Sequence, residues 1–201
     1  MIAFDPVLPV IVLDSAERAE PLGRTLVAAG IRQAEVTLRT PASLSALRIL
    51  ARTAGLRVGA GTVLDASQVD EAVDAGAAFV VSPGVADEVL ARSRHRGVPA
   101  IPGIATATEL MRARALGVRT VKFFPAEALG GTVALSALAA VFPDISFIPT
   151  GGIDEGRAAH YLALPSVIAI GGSWMVPRAA IAAGDFSTVE ALCRHAMAAT
   201  R

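Results

Sequence analysis

Short apolar runs rich in Val and Ile recur along this chain, and each is followed by a longer stretch of Ala, Leu and Arg with helical spacing. The runs at 7–13, 33–38, 57–60, 78–82, 98–101, 120–124, 146–149 and 167–170 predict eight strands. Between them, 15–29, 41–54, 66–75, 86–96, 106–116 and 131–141 predict helices. Gly30, Gly55, Gly76, Gly97 and Gly117 follow helical turns as C-terminal stops. Asp65 stands where an N-cap belongs, and Thr106 with Glu109 three residues later reads as a capping box. Strands this apolar, alternating with helices, imply a parallel sheet buried on both faces. Eight units with a period of roughly 25 residues fit one closed (β/α)₈ TIM barrel spanning 1–201, at the small end of that fold's size range. A doubly wound open sheet is the rival, although Gly59-Ala-Gly61-Thr lacks the third glycine of a dinucleotide fingerprint.

Composition narrows the possibilities. Hydrophobic residues make up 53% of the 201 positions and charged residues 18%, so a large core is available. The 18 acidic and 18 basic residues cancel, and no basic block interleaved with aromatics suggests nucleic acid. The cluster Arg92, Arg94, His95, Arg96 reads as a solvated helix end. One cysteine, Cys193, excludes a disulfide framework. Residues 158–177 carry no Asp, Glu, Lys or Arg, but Pro165, Gly171 and Gly172 break them, so no membrane span is expected. The first residues, Met-Ile-Ala-Phe-Asp-Pro, show no signal-peptide pattern, and a cytoplasmic location is expected.

Against this background Lys122 stands out, because the other 17 of the 18 basic residues are arginines. Coding bias explains the arginines, and a position that resists it asks for an amine. An arginine stays protonated, whereas a desolvated lysine can lose its proton and attack a carbonyl. Phe124 shares its strand face by alternation and would help to desolvate it. On the second strand Glu35, Thr37 and Arg39 point one way, placing a carboxylate and a guanidinium on an interior face. They are there for use, or they merely pair with each other. Thr62 follows two glycines at the end of the third strand, and Pro83 follows the fourth and would border the site. The last two strands end in Thr150-Gly151-Gly152 and Gly171-Gly172-Ser173, where barrels commonly bind phosphate through exposed N–H groups. Glu127 either caps or lines the mouth, and Trp174 packs behind a loop. His95, His160 and His195 have no spaced partners, so no metal site is expected.

These segments, in order, resemble the bacterial 2-keto-3-deoxy-6-phosphogluconate (KDPG) aldolases, many of which also cleave 4-hydroxy-2-oxoglutarate (KHG). The resemblance is carried by Pro9-Val-Ile-Val, Glu35-Val-Thr-Leu-Arg-Thr40, Val58-Gly-Ala-Gly-Thr-Val63, Ser82-Pro-Gly84, Ile101-Pro-Gly-Ile104, Lys122-Phe-Phe-Pro-Ala-Glu127, Pro149-Thr-Gly-Gly-Ile153 and Ile170-Gly-Gly-Ser-Trp174. It implies a class I aldolase on a (β/α)₈ barrel, usually a homotrimer, with no metal and no cofactor. It places the Schiff-base lysine at Lys122 and the proton-transferring glutamate at Glu35. The substrate carboxylate falls to Arg39 and Thr62, and the phosphate to Gly151, Gly152 and Ser173. Only 1–6 precede the first strand, where the family carries a helix that closes the barrel bottom. Three other readings are open. A phosphate-binding isomerase or epimerase would use Glu35 as base and Lys122 as an electrostatic partner. A non-catalytic protein would sense a phosphorylated sugar acid. An aldolase could prefer the galactonate-configured substrate.

Overall fold

In the computed structural model, which describes residues 4–199, eight parallel strands alternate with helices. The strands are β1 (Val7–Ile11), β2 (Gln33–Thr37), β3 (Arg57–Gly61), β4 (Val80–Ser82), β5 (Ala100–Ile104), β6 (Thr120–Phe123), β7 (Ser146–Pro149) and β8 (Ile170–Gly172). The helices are α1 (Ala19–Ala28), α2 (Ser43–Leu50), α3 (Ala66–Asp74), α4 (Asp87–His95), α5 (Ala107–Ala115), α6 (Gly131–Val141), α7 (Glu155–Leu162), α8 (Arg178–Ala183) and α9 (Phe186–Ala198). Consecutive strands pair from β1 to β7, and β8 pairs with β1. Parallel bridges Phe147↔Val167 and Thr150↔Gly171 join β7 to the β8 segment, so the sheet closes. The open-sheet alternative is thereby set aside.

Alternation decides which side chains face the lumen. Ala34, Val36, Val58, Ala60, Val80, Val121, Phe123 and Phe147 point outward into two clusters shared with the helices. Leu8, Phe79, Val81, Ile101, Ile148 and Ala169 form a third cluster drawn from strands and their flanks, with no helix residue in it. That cluster fills the lumen, and Gln33, Glu35 and Lys122 lie among the buried polar groups.

The local signals act as expected at the helix ends. Asp65 accepts from the Gln68 N–H at 2.9 Å, and the Thr106–Glu109 capping box forms in both directions. All five C-terminal stop glycines adopt positive φ, between 72° and 97°.

Several boundaries differ from the pattern, and three of the differences have a visible cause. Helix α2 covers Ser43–Leu50 rather than 41–54, because its exit tightens into three-residue turns, Arg52 N–H to Ile49 and Thr53 N–H to Leu50. That turn packs Thr53 onto Gly23 of α1, where an added Cβ would stand 2.5 Å from the Thr53 hydroxyl. Strand β5 runs through Pro102 to Ile104, two to three residues later than expected, because Gly103 and Ile104 register against Lys122 and Phe123. Strand β8 is Ile170–Gly172 rather than 167–170, since its ladder is with Val7, Leu8 and Pro9. In both places sheet pairing overrides a proline or glycine that reads locally as a stop.

The N-terminal end of the barrel is partly closed by Phe4, whose ring meets Phe79 edge-on at 5.4 Å and lies under the Arg57 guanidinium. The part of the N-terminal segment at 1–3 lies outside the described residues. Among the described residues no helix is long and apolar enough to cross a membrane.

The basic cluster on α4 is more than a solvated end. Arg92 and Arg96 both reach back to Asp70 on α3, at 2.7 and 2.5 Å, and Arg96 also meets Asp74. Hydrogen bonds from Arg92 and then Arg96 hold the Asp70 carboxyl down at about 2 from the usual 3.8. A depressed carboxyl stabilises the fold above its ordinary value, and that contribution drains as pH falls through the folded value. Chemical denaturation of wild type and Asp70→Asn should therefore show a stability gap above pH 3.8 that closes on acidification toward pH 2. A gap independent of pH would show that the pairing adds no pH-linked stability.

Candidate active site

The inward alternation of β6 and β2 sends Lys122 and Glu35 toward each other across the lumen. They start 87 residues apart on opposite walls, and the Lys122 Nζ lies 3.2 Å from Glu35 Oε1. Lys122 is 7% and Glu35 1% exposed, so each charge compensates the other in a poorly hydrated setting. The Phe124 ring centroid is 5.2 Å from the same nitrogen, completing a dry flank. The alternative in which Glu35 simply pairs with Arg39 is not what the fold does.

Glu35 has its place because Gly61 has no side chain. A Cβ at Gly61 would stand 2.1 Å from Glu35 Oε1 and 2.5 Å from its Cγ. The next residue, Thr62, has φ 59°, in the left-handed region that a β-branched residue enters at a cost of about 1–3 kcal/mol. Its hydroxyl is 3.4 Å from the Arg39 Nε. Arg39 itself does not sit on the lumen wall as strand alternation predicts. β2 ends at Thr37, and the Arg39 N–H turns back to the Thr37 carbonyl at 2.9 Å, which lifts the guanidinium to an exposed position at the mouth. Arg39 and Thr62 thus form a rim pair above the buried Lys122–Glu35 pair.

Pro83 is exposed at the end of β4, and its carbonyl presses on Gly103, where a Cβ would be 2.1 Å away. Across the mouth, Thr150 is buried against Gly171, where a Cβ would lie 2.2 Å from the Thr150 hydroxyl. Gly151 and Gly152 adopt φ of 103° and 78°, which only glycine takes without strain. Gly172 is buried under Trp174, which folds back so closely that a Cβ would meet it at 1.7 Å, while Ser173 is exposed. Trp174 packs against both helix-side core clusters, in keeping with a role behind the loop. Glu35 lies at the middle of β2, and Lys122, Phe124, Thr62, Arg39, Thr150, Gly151, Gly152, Gly172 and Ser173 lie on the C-terminal halves of strands or the loops after them, the end where barrel chemistry gathers.

Sequence reasoning missed the surroundings of Glu127. Its carboxylate accepts from the Tyr161 hydroxyl and forms an ion pair with Arg157, whose Nε lies 3.1 Å away. Tyr161 is the only tyrosine in the chain, a signal that could have drawn attention to it.

A cavity of about 830 Å³ opens at the opposite end of the barrel, around Phe4, Val98, Ala100, Leu116 and Val118. No carboxylate, lysine, histidine or cysteine lines it, so it offers no acid–base or nucleophilic group. Cys193 is buried, its thiol pushed up to about 12 by desolvation, and is inert. Among the described residues no group of three or more His, Cys, Asp or Glu is placed to hold a metal ion.

Comparison with known proteins bears on this arrangement. The sequence profile of KDPG and KHG aldolase matches residues 1–192. The chain is 50% identical to the 2-dehydro-3-deoxy-phosphogluconate aldolase of Treponema pallidum over 95% of its length and 91% of the relative's. It is 47% identical to the KHG/KDPG aldolase of Escherichia coli K12, covering 96% and 91%. Among solved structures, the KDPG aldolase of Legionella pneumophila, with pyruvate captured as a covalent carbinolamine, superimposes with a TM-score of 0.92 at 44% identity, covering 96% of this chain and 94% of that one.

The fit of Glu35 to Gly61 is testable. Gly61→Ala should displace the carboxylate and slow borohydride trapping of pyruvate on Lys122 by roughly tenfold or more, the scale on which misplacing a reacting group acts. Trapping at the wild-type rate in a folded variant would mean that the carboxylate's position is immaterial.

Proposed function

The chain belongs to the KDPG and KHG aldolase family, and on that footing we propose that Lys122 is the amine through which it cleaves KDPG to pyruvate and glyceraldehyde 3-phosphate. The enzyme is an aldehyde-lyase of the Schiff-base class, and cleavage of KDPG places it in the Entner–Doudoroff pathway. The likeness to a KHG/KDPG aldolase extends the reading to 4-hydroxy-2-oxoglutarate, cleaved to pyruvate and glyoxylate. The observation that carries the assignment is the buried contact between the Lys122 amine and the Glu35 carboxylate, 3.2 Å apart.

That contact gives the proton a place to go. Glu35 takes a proton from the Lys122 ammonium, and the free amine attacks the C2 ketone to form a carbinolamine. Glu35 then returns the proton to the departing hydroxyl, water leaves, and an iminium remains. The iminium accepts the electron pair of the C3–C4 bond as the C4 hydroxyl gives its proton to Glu35. Glyceraldehyde 3-phosphate departs, leaving an enamine, which is protonated at C3 and hydrolysed to pyruvate and free Lys122. Phe124 limits water at the nitrogen. Arg39 and Thr62 hold the substrate carboxylate in a charge-assisted contact. Pro83 and Thr150 border the reacting carbons, and the N–H groups of Gly151, Gly152 and Gly172 with the Ser173 hydroxyl hold the phosphate.

The same reading makes the protein a cytoplasmic homotrimer. Its single cysteine is buried, in keeping with a reducing compartment, and α6 carries no charged residue yet exposes Val133 and Val141, a face a second copy would cover.

Incubation with pyruvate and borohydride should add a permanent mass to the peptide carrying Lys122, and Lys122→Arg should abolish both the adduct and turnover. Substantial turnover by the arginine variant would rule out the covalent route. Glu35→Gln should lower kcat by roughly 10²–10⁴-fold, the range for a lost general acid–base. A rate within a few-fold of wild type would remove Glu35 from proton transfer.

A further inference from the structure

We propose that Glu127 is a positioning residue for the phosphate subsite: braced by Tyr161 and Arg157, it sets the shape of the Gly151–Gly152 turn and thereby the affinity for phosphorylated substrate. The inference rests on the reading of that turn as part of the phosphate site. Gly151 and Gly152 have little conformational preference of their own, so something else must fix the direction of their N–H groups. Glu127 touches the turn at both ends.

At the first end, the loop after β6 extends the β6–β7 ladder beyond its last pair, Phe123↔Pro149. The Ala126 N–H donates to the Thr150 carbonyl at 2.8 Å, and the Glu127 N–H donates to the Gly151 carbonyl at 3.1 Å. The stem of Glu127 then fills the space beside Gly152, with its Cβ and Cγ only 2.7 and 3.0 Å from where a Gly152 Cβ would be. The turn is moulded on that stem.

At the second end, the Glu127 carboxylate reaches α7, the helix into which the turn leads. Tyr161 and Arg157, both on α7, meet it there, the tyrosine as hydrogen-bond donor and the arginine as ion-pair partner. Asp154 caps the same helix through the Arg157 N–H at 3.0 Å and also pairs with the Arg157 guanidinium. Burial, with the adjoining carboxylate, pushes the Tyr161 phenol above its usual range, so it remains a donor. A carboxylate this near a phosphate would repel it unless its charge were met, and Arg157 with Tyr161 meets it. Glu127 lies five residues past Lys122, so one short segment carries both the reacting amine and this brace.

The test compares substrates with and without a phosphate. Tyr161→Phe removes one hydroxyl without changing packing, and Glu127→Gln keeps the shape and removes the charge. Each should raise KM for KDPG by about tenfold, as for one lost hydrogen bond to a charged group, with kcat within about twofold. Deuterium uptake from solvent into the methyl group of pyruvate needs the Lys122 enamine but no phosphate, and it should stay within about twofold of wild type in both variants. Equal losses in KDPG cleavage and in deuterium uptake, or unchanged kinetics in both variants, would overturn the proposal. Ser173→Ala reads the subsite itself. If that variant shows no rise in KM for KDPG, the phosphate reading fails. If it does, while Tyr161→Phe and Glu127→Gln remain like wild type, only the role of Glu127 fails.

Discussion

The charge pair between Lys122 and Glu35 is the constraint around which the barrel is organised. Neither group is tolerable alone in an apolar lumen, and removing either partner would strand the other without a counter-charge. Their meeting requires opposite walls of the barrel to face each other at a set distance, which the closure between β7 and β8 secures. It also requires a gap in the lumen wall, and Gly61 supplies that gap. An interaction that costs stability in an ordinary core is present here, which is what the proposed proton-transfer role accounts for.

Much of the candidate site was legible because it violates the chain's own habits. A lysine among arginines, a glutamate in a buried strand and two Gly-Gly turns after the last strands are exceptions that alternation places at one barrel end. Helix limits were legible where a local device fixes them, as at Asp65, Thr106 and the stop glycines.

What stayed hidden depends on contacts that no local window contains. β5 runs on through Pro102 because β6 offers Gly103 and Ile104 their register. Arg39 leaves the lumen wall because β2 ends two residues earlier, and the period-two rule lapses with the strand. The Glu127–Tyr161 contact joins residues 34 apart that share no motif. The ties from Arg92 and Arg96 to Asp70 cross between helices in the same way.

The replacement of every other lysine by arginine has a chemical corollary. Guanidinium groups do not condense with aldehydes and ketones to give simple imines, so no side chain but Lys122 offers a primary amine to a carbonyl compound. An enzyme that releases a reactive triose phosphate thus carries a surface without lysine side chains for its own product to derivatise, and the sole susceptible side-chain nitrogen lies inside the barrel.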